Sequence, residues 1–209
     1  MTAPTIDADV LRTAINAVRR AMSTDTTRPH LSCLRLDVTP TQITTAATDG
    51  HWLARFTCDG DFGGVASLVL TDYCARDLGR WLSNRRARSV FPRRERPPRK
   101  GPCEVGVDVE ARIVASGFGR FALDVYEGRT PPPDLDTVIP PDTDTPYSGM
   151  IAAALVGRIA RSFDAAYGGW AGLRFVGDDP QGPARAITGS TKTPERRLLV
   201  LCMPVRGPS

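Results

Sequence analysis

One arrangement recurs three times along this 209-residue chain: an extended segment, an amphipathic helix and a small meander of strands. In the first copy, Leu11, Ile15, Val18 and Met22 stand at helical spacing with Arg12, Arg19 and Arg20 between them. That spacing predicts an amphipathic helix over residues 7–22 that covers a sheet. Leu34, Leu36 and Val38 then alternate with Arg35 and Asp37, Thr39-Pro40-Thr41 supplies a turn, and residues 43–47 and 52–58 are β-prone. The second copy has a strand at 65–70, a helix capped by Thr71 or Asp72 that carries Cys74, Leu78, Trp81 and Leu82, and strands at 103–109, 112–116 and 121–126. In the third, Ile151, Leu155, Ile159 and Phe163 form the helix stripe, Gly168-Gly169 ends it, and strands follow at 172–176, 184–188 and 198–203.

A unit this small cannot close its own core, so its helix and meander must be buried against a neighbour. The expectation is an α+β fold with helices on one side of antiparallel sheets. Two stretches read as connections: the Pro/Arg-rich residues 93–102 and the proline-rich residues 129–146. The second marks the expected domain boundary.

With 41% hydrophobic residues the chain can build a sizeable core. It has no apolar run of membrane-spanning length and no basic-then-apolar leader at its N-terminus, so the expected location is cytoplasmic, with no membrane partner. Five widely separated cysteines, never in a C-x-x-C pair, read as reduced and mostly buried thiols, neither a disulfide framework nor a metal site. His30 and His51 are the only histidines, which leaves little for a Cys-His nucleophile. Phosphate-loop, zinc-protease and serine-hydrolase motifs are absent, and Asp178-Asp179 beside Pro180 reads as a turn. No enzymatic activity, cofactor or metal is expected. The net charge is +4, yet Arg85, Arg86, Arg88, Arg93, Arg94, Arg96, Arg99 and Lys100 fall within sixteen residues with Glu95 as the only acid. That run suits a polyanion, bound through phosphates without sequence preference and with strong salt dependence. Arg12, Arg19 and Arg20 on the first helix are secondary candidates.

Three segments carry a family resemblance. Arg28-Pro-His-Leu-Ser-Cys-Leu-Arg-Leu followed by Thr45-Ala-Ala-Thr-Asp-Gly-His-Trp-Leu-Ala-Arg55 resembles the middle domain of the bacterial sliding clamp, the DNA polymerase III beta subunit. The segment from Gly119-Arg-Phe-Ala-Leu-Asp-Val-Tyr to Val138-Ile139-Pro140 is similar to that family's closing strand and interdomain connector. Leu199-Val-Leu-Cys-Met-Pro-Val-Arg206 resembles its C-terminal strand. The resemblance implies a shortened clamp: one complete domain like the middle one over residues 1–140, and the second half of the last over 141–209.

The resemblance implies a non-catalytic processivity factor for DNA replication or repair, which contacts DNA, assembles as a homo-oligomer and takes client-protein peptides in an apolar cleft. The matching cleft positions are Leu31, Thr48, Gly50, His51 and Leu53, with Pro140 on the connector and Leu201, Met203, Pro204, Val205 and Arg206 at the C-terminal strand. Trp52 stands where the family has a basic residue and is expected to narrow or reshape the cleft. Leucines and an adaptable methionine suit a peptide's Leu or Phe. Taken alone, Thr48-Asp49-Gly50-His51 is an ordinary turn and Met203-Pro204 an ordinary strand end. The alternative function is an oligomeric basic DNA-binding protein, or a clamp antagonist without ring-forming activity.

Overall fold

A computed structural model describes residues 3–84, 103–117, 119–140, 142–168, 172–188 and 195–203. The first unit comprises β1 (Thr5–Asp7), α1 (Ala8–Val18), β2 (Cys33–Val38), β3 (Gln42–Thr48) and β4 (Trp52–Asp59). The second has β5 (Ala66–Thr71), α2 (Asp72–Asn84), β6 (Glu104–Asp108), β7 (Ile113–Ser116) and β8 (Gly119–Ala122). The third has α3 (Ala153–Tyr167), β9 (Leu173–Val176), β10 (Ala184–Thr188) and β11 (Arg196–Cys202). The chain is therefore α+β with antiparallel sheets, as its periodicities predict.

Local chemistry sets the helix ends. The Asp7 carboxylate accepts the backbone N–H of Asp9 at 2.7 Å and of Val10 at 3.2 Å, satisfying donors that the first turn leaves free. The Thr71 hydroxyl accepts the Cys74 N–H at 3.3 Å in the same way. Gly168, at φ 66°, closes α3 in the left-handed conformation that a side chain disfavours. The expected first helix ends earlier than 22, because Arg19–Ala21 tighten into a 3-10 turn.

The units interlock through their leading strands. β1 does not pair with its own meander but with β6, and β5 pairs with β2, so each unit donates a strand to the other's sheet. One sheet has the order β1-β6-β7-β8; the other runs β5-β2-β3-β4-β11-β10-β9. The last meander joins the first through β4 and β11, antiparallel from Arg196↔Cys58 to Cys202↔Trp52. The third unit's leading segment makes a single bridge, Pro146↔Val176, to its own β9. β8 is shorter than the expected 121–126 strand. After Ala122 the chain crosses to the other sheet, where the Tyr126 N–H donates to the Val69 carbonyl at 2.7 Å and Val125 bridges Leu70.

Because alternate residues of a strand face opposite ways, the large sheet has two different faces. Leu34, Leu36, Ala54, Phe56, Leu198 and Val200 point to the main core, which the helix layer closes with Leu11, Ile15, Val18, Leu78, Ile159 and Phe163. α1 lies between α2 and α3 and over β3 and β4. The Thr45 hydroxyl, fully buried, donates to the Ala14 carbonyl at 2.9 Å and fastens α1 to β3. The opposite face carries a smaller cluster of Ala46, Leu53, Leu135 and Leu201.

Candidate functional site

The β3–β4 hairpin supplies the first half of the site. Its turn is built by Asp49, whose Oδ1 accepts the N–H of His51 at 2.9 Å and of Trp52 at 3.1 Å. The Thr48 hydroxyl closes it from the other side, donating to the Trp52 carbonyl at 2.8 Å and accepting the Gly50 N–H at 3.0 Å. Gly50 has φ 87° and lies against Leu31, whose Cδ1 would be 3.6 Å from a Cβ placed there. A side chain at Gly50 would therefore be strained by the backbone even though the space exists.

The second half comes from the far end of the sequence. The Met203 N–H donates to the His51 carbonyl at 2.8 Å, extending the β4–β11 ladder by one bond and setting Met203 beside the turn. Leu201 pairs directly with Leu53 across that ladder. The structure thus brings together Leu31, Thr48, Gly50, His51, Leu53, Leu201 and Met203. Pro140 follows the connector residue Ile139, which packs on this cluster. Pro204, Val205 and Arg206 lie outside the described residues, as do Arg85, Arg86, Arg88, Arg93, Arg94, Arg96, Arg99 and Lys100.

Two findings differ from the sequence expectation. Trp52 does not face the cleft: it alternates with Leu53, points into the main core and is 2% exposed. The expected reshaping of the cleft by this side chain therefore does not occur, because the ring packs on the helix side of the sheet. The leucine floor is also covered. Leu135 and Ile139 of the connector pack onto Leu53, Leu201 and Leu199, so Leu53 and Leu201 are only 4% and 5% exposed. Met203, 49% exposed beside the turn, is the accessible apolar side chain at this end of the ladder. Leu135 was missed as a site residue, although it is one of few apolar side chains in a proline- and aspartate-rich connector. Beside the cluster, His30, Arg35, Thr48, Pro132, Pro133 and Leu135 line a shallow depression.

Burial sets the thiol chemistry. Cys33 is pushed up to about 11 and Cys202 to about 12, both by loss of solvent, so neither is a nucleophile at neutral pH. On the helix layer, Arg20 is lowered by burial and then by the nearby charges of Arg19 and Arg161. Asp164 on α3 acts the other way on Arg20, and the Arg20 guanidinium donates to the Asn16 carbonyl at 3.2 Å. Asp178 accepts the Thr143 hydroxyl at 2.7 Å and Asp179 accepts the Gln181 N–H at 2.8 Å, so this acid pair builds the expected turn.

Residues 5–61, which hold β1 to β4 and the turn, match the family model of the DNA polymerase III beta subunit, central domain. Nearly the whole chain superimposes on solved sliding clamps. The fold is that of the bacterial sliding clamp. The Pseudomonas aeruginosa clamp solved with griselimycin gives a TM-score of 0.67 at 15% identity, over 97% of this chain and 64% of that one. The beta chain from Streptococcus pneumoniae gives 0.68 at 15% identity, over 99% and 66%. The beta subunit from Thermotoga maritima gives 0.70 at 12% identity, over 100% and 66%. The chain thus spans 64–66% of the length of these clamps. No curated protein sequence matches. In clamp terms, the turn at Gly50 falls within the matched central-domain segment, while β11 is contributed from outside it. No helix among the described residues is long and apolar enough to cross a membrane.

Proposed function

We propose that this chain is a non-catalytic, cytoplasmic scaffold of DNA replication or repair that binds client-protein peptides at the β4–β11 junction. The observation that carries the reading is the Met203 N–H to His51 carbonyl bond, which joins two cleft walls lying far apart in the sequence. A peptide's Leu or Phe would seat on Met203 and reach toward Leu31, Leu53 and Leu201. Arg206 would help to fix its direction. Each seated side chain contributes about 1.5–3 kcal/mol gross, so after ordering costs a short motif binds in the micromolar range.

DNA would be held through phosphates, by the basic residues 85–100 and secondarily by Arg12, Arg19 and Arg20 of the first helical segment, without base reading. Residues 1–140 would act as a complete clamp-like domain and 141–209 as a half. Pairing two such halves across a two-fold axis gives the homo-oligomer. The covered leucine floor favours a second reading, in which the chain binds DNA or opposes a full clamp without recruiting clients.

Fluorescence polarisation separates the two. A labelled peptide bearing Leu and Phe should bind the native protein at micromolar concentration and lose that affinity in a His51→Ala, Met203→Ala double variant, both sites being solvent-facing. Griselimycin, found on the clamp from Pseudomonas aeruginosa, is a second probe. Failure of both ligands to bind, alongside salt-sensitive DNA binding, would establish the second reading.

A further inference from the structure

The turn that forms the candidate cleft is held from beneath by a side chain from the helix layer. The Arg158 guanidinium on α3 reaches the β3–β4 turn, and its Nη1 donates to Asp49 Oδ2 at 3.1 Å. Its Nη2 donates to the Arg20 carbonyl at 2.5 Å, and the guanidinium lies 5.0 Å from the centre of the Trp52 ring. The other Asp49 oxygen is the one that accepts the His51 and Trp52 N–H groups. His51 in turn offers its carbonyl to Met203. One arginine thus fixes the carboxylate that shapes the turn, and the turn fixes the strand end that forms the opposite wall.

We infer that Arg158 is a positioning residue for the peptide site, setting the Gly50–His51 turn and the Met203 rim through Asp49 without touching the peptide itself. The inference rests on the peptide-binding reading and adds the residue that keeps the rim in shape. Three features favour this role. The Asp49 carboxylate is largely withdrawn from water, its side chain 12% exposed, so its orientation depends on a fixed cation. A guanidinium can pair with the carboxylate, reach a second carbonyl and stack on an aromatic face together, which an ammonium cannot. Trp52 supplies the aromatic face, so the guanidinium from α3 is held against β4 by the ring as well as by the carboxylate.

The test compares Arg158→Met, Arg158→Lys and Asp49→Asn by peptide polarisation and by amide NMR spectra of the full chain. Arg158→Met keeps the stem over Trp52 and removes the charge. It should weaken the Leu/Phe peptide about fivefold or more and shift the Gly50, His51 and Met203 amides, with the helix amides beyond α3 unchanged. Arg158→Lys should recover part of the affinity. Asp49→Asn should weaken binding too, and the Arg158→Met, Asp49→Asn double variant should be no worse than the poorer single one, since both cut the same link. Native-like affinity in Arg158→Met, or unmoved turn amides, would overturn the inference. If the native protein binds no peptide, the peptide reading fails by itself, and the turn amides still decide whether Arg158 positions the rim.

Discussion

Trp52 contributes an unusual energetic term: it is buried, yet its indole N–H has no hydrogen-bond partner. An unpaired buried donor costs about 1–3 kcal/mol, set against the area that the ring buries and its contact with Arg158. Trp52→Phe removes the donor while keeping an aromatic face. We expect it to change the unfolding free energy by less than about 1 kcal/mol in urea titrations, whereas Trp52→Ala should cost about 3–5 kcal/mol. The buried thiols set a pH limit. Burial raises Cys33 and Cys202 above the ordinary 9.0, so the unfolded chain loses these protons first. Their effect on stability is nil below pH 9; stability then falls as pH rises toward about 11 for Cys33 and about 12 for Cys202. Urea midpoints at about pH 7 and about pH 10 should show this loss, and a Cys33→Ala, Cys202→Ala variant should flatten it.

At the scale of elements, the connector is the part that sequence reading placed but did not understand. Its prolines identify a connection, but nothing in its periodicity shows that Leu135 and Ile139 lie down on Leu53 and Leu201. That contact is long-range and depends on where β11 joins β4. Leu135→Ala should cost about 2 kcal/mol, because the cluster is small and close to solvent. It should also open the leucine floor, so peptide affinity should hold or rise while the thermal midpoint falls. The meanders and helices were legible, since Leu34-Leu36-Val38 and Leu11-Ile15-Val18 state their periods plainly. The strand exchange was not, because β1 is three residues long and pairs with β6 about a hundred positions away. Arg158 was invisible for the same reason: an arginine at a half-exposed helix position gives no sign that it meets Asp49.

At the scale of the molecule, three interlocked units place one continuous seven-stranded sheet behind a row of helices. The first two units complete each other by exchanging leading strands, whereas the third folds its leading segment back onto β9. A second copy could supply the exchange that the third unit lacks. Light scattering across the micromolar range should therefore give a dimer or larger species, and a single monomeric mass throughout would contradict it. DNA affinity, if carried by the helix layer and residues 85–100, should fall steeply between low and physiological salt and be indifferent to sequence. If the β4–β11 junction is a peptide site, amide NMR of the native chain titrated with a Leu/Phe peptide will show saturable shifts at Gly50, His51, Leu53, Leu201 and Met203, with the β6–β8 sheet unmoved. Shifts confined to another surface, or none at millimolar peptide, would contradict it.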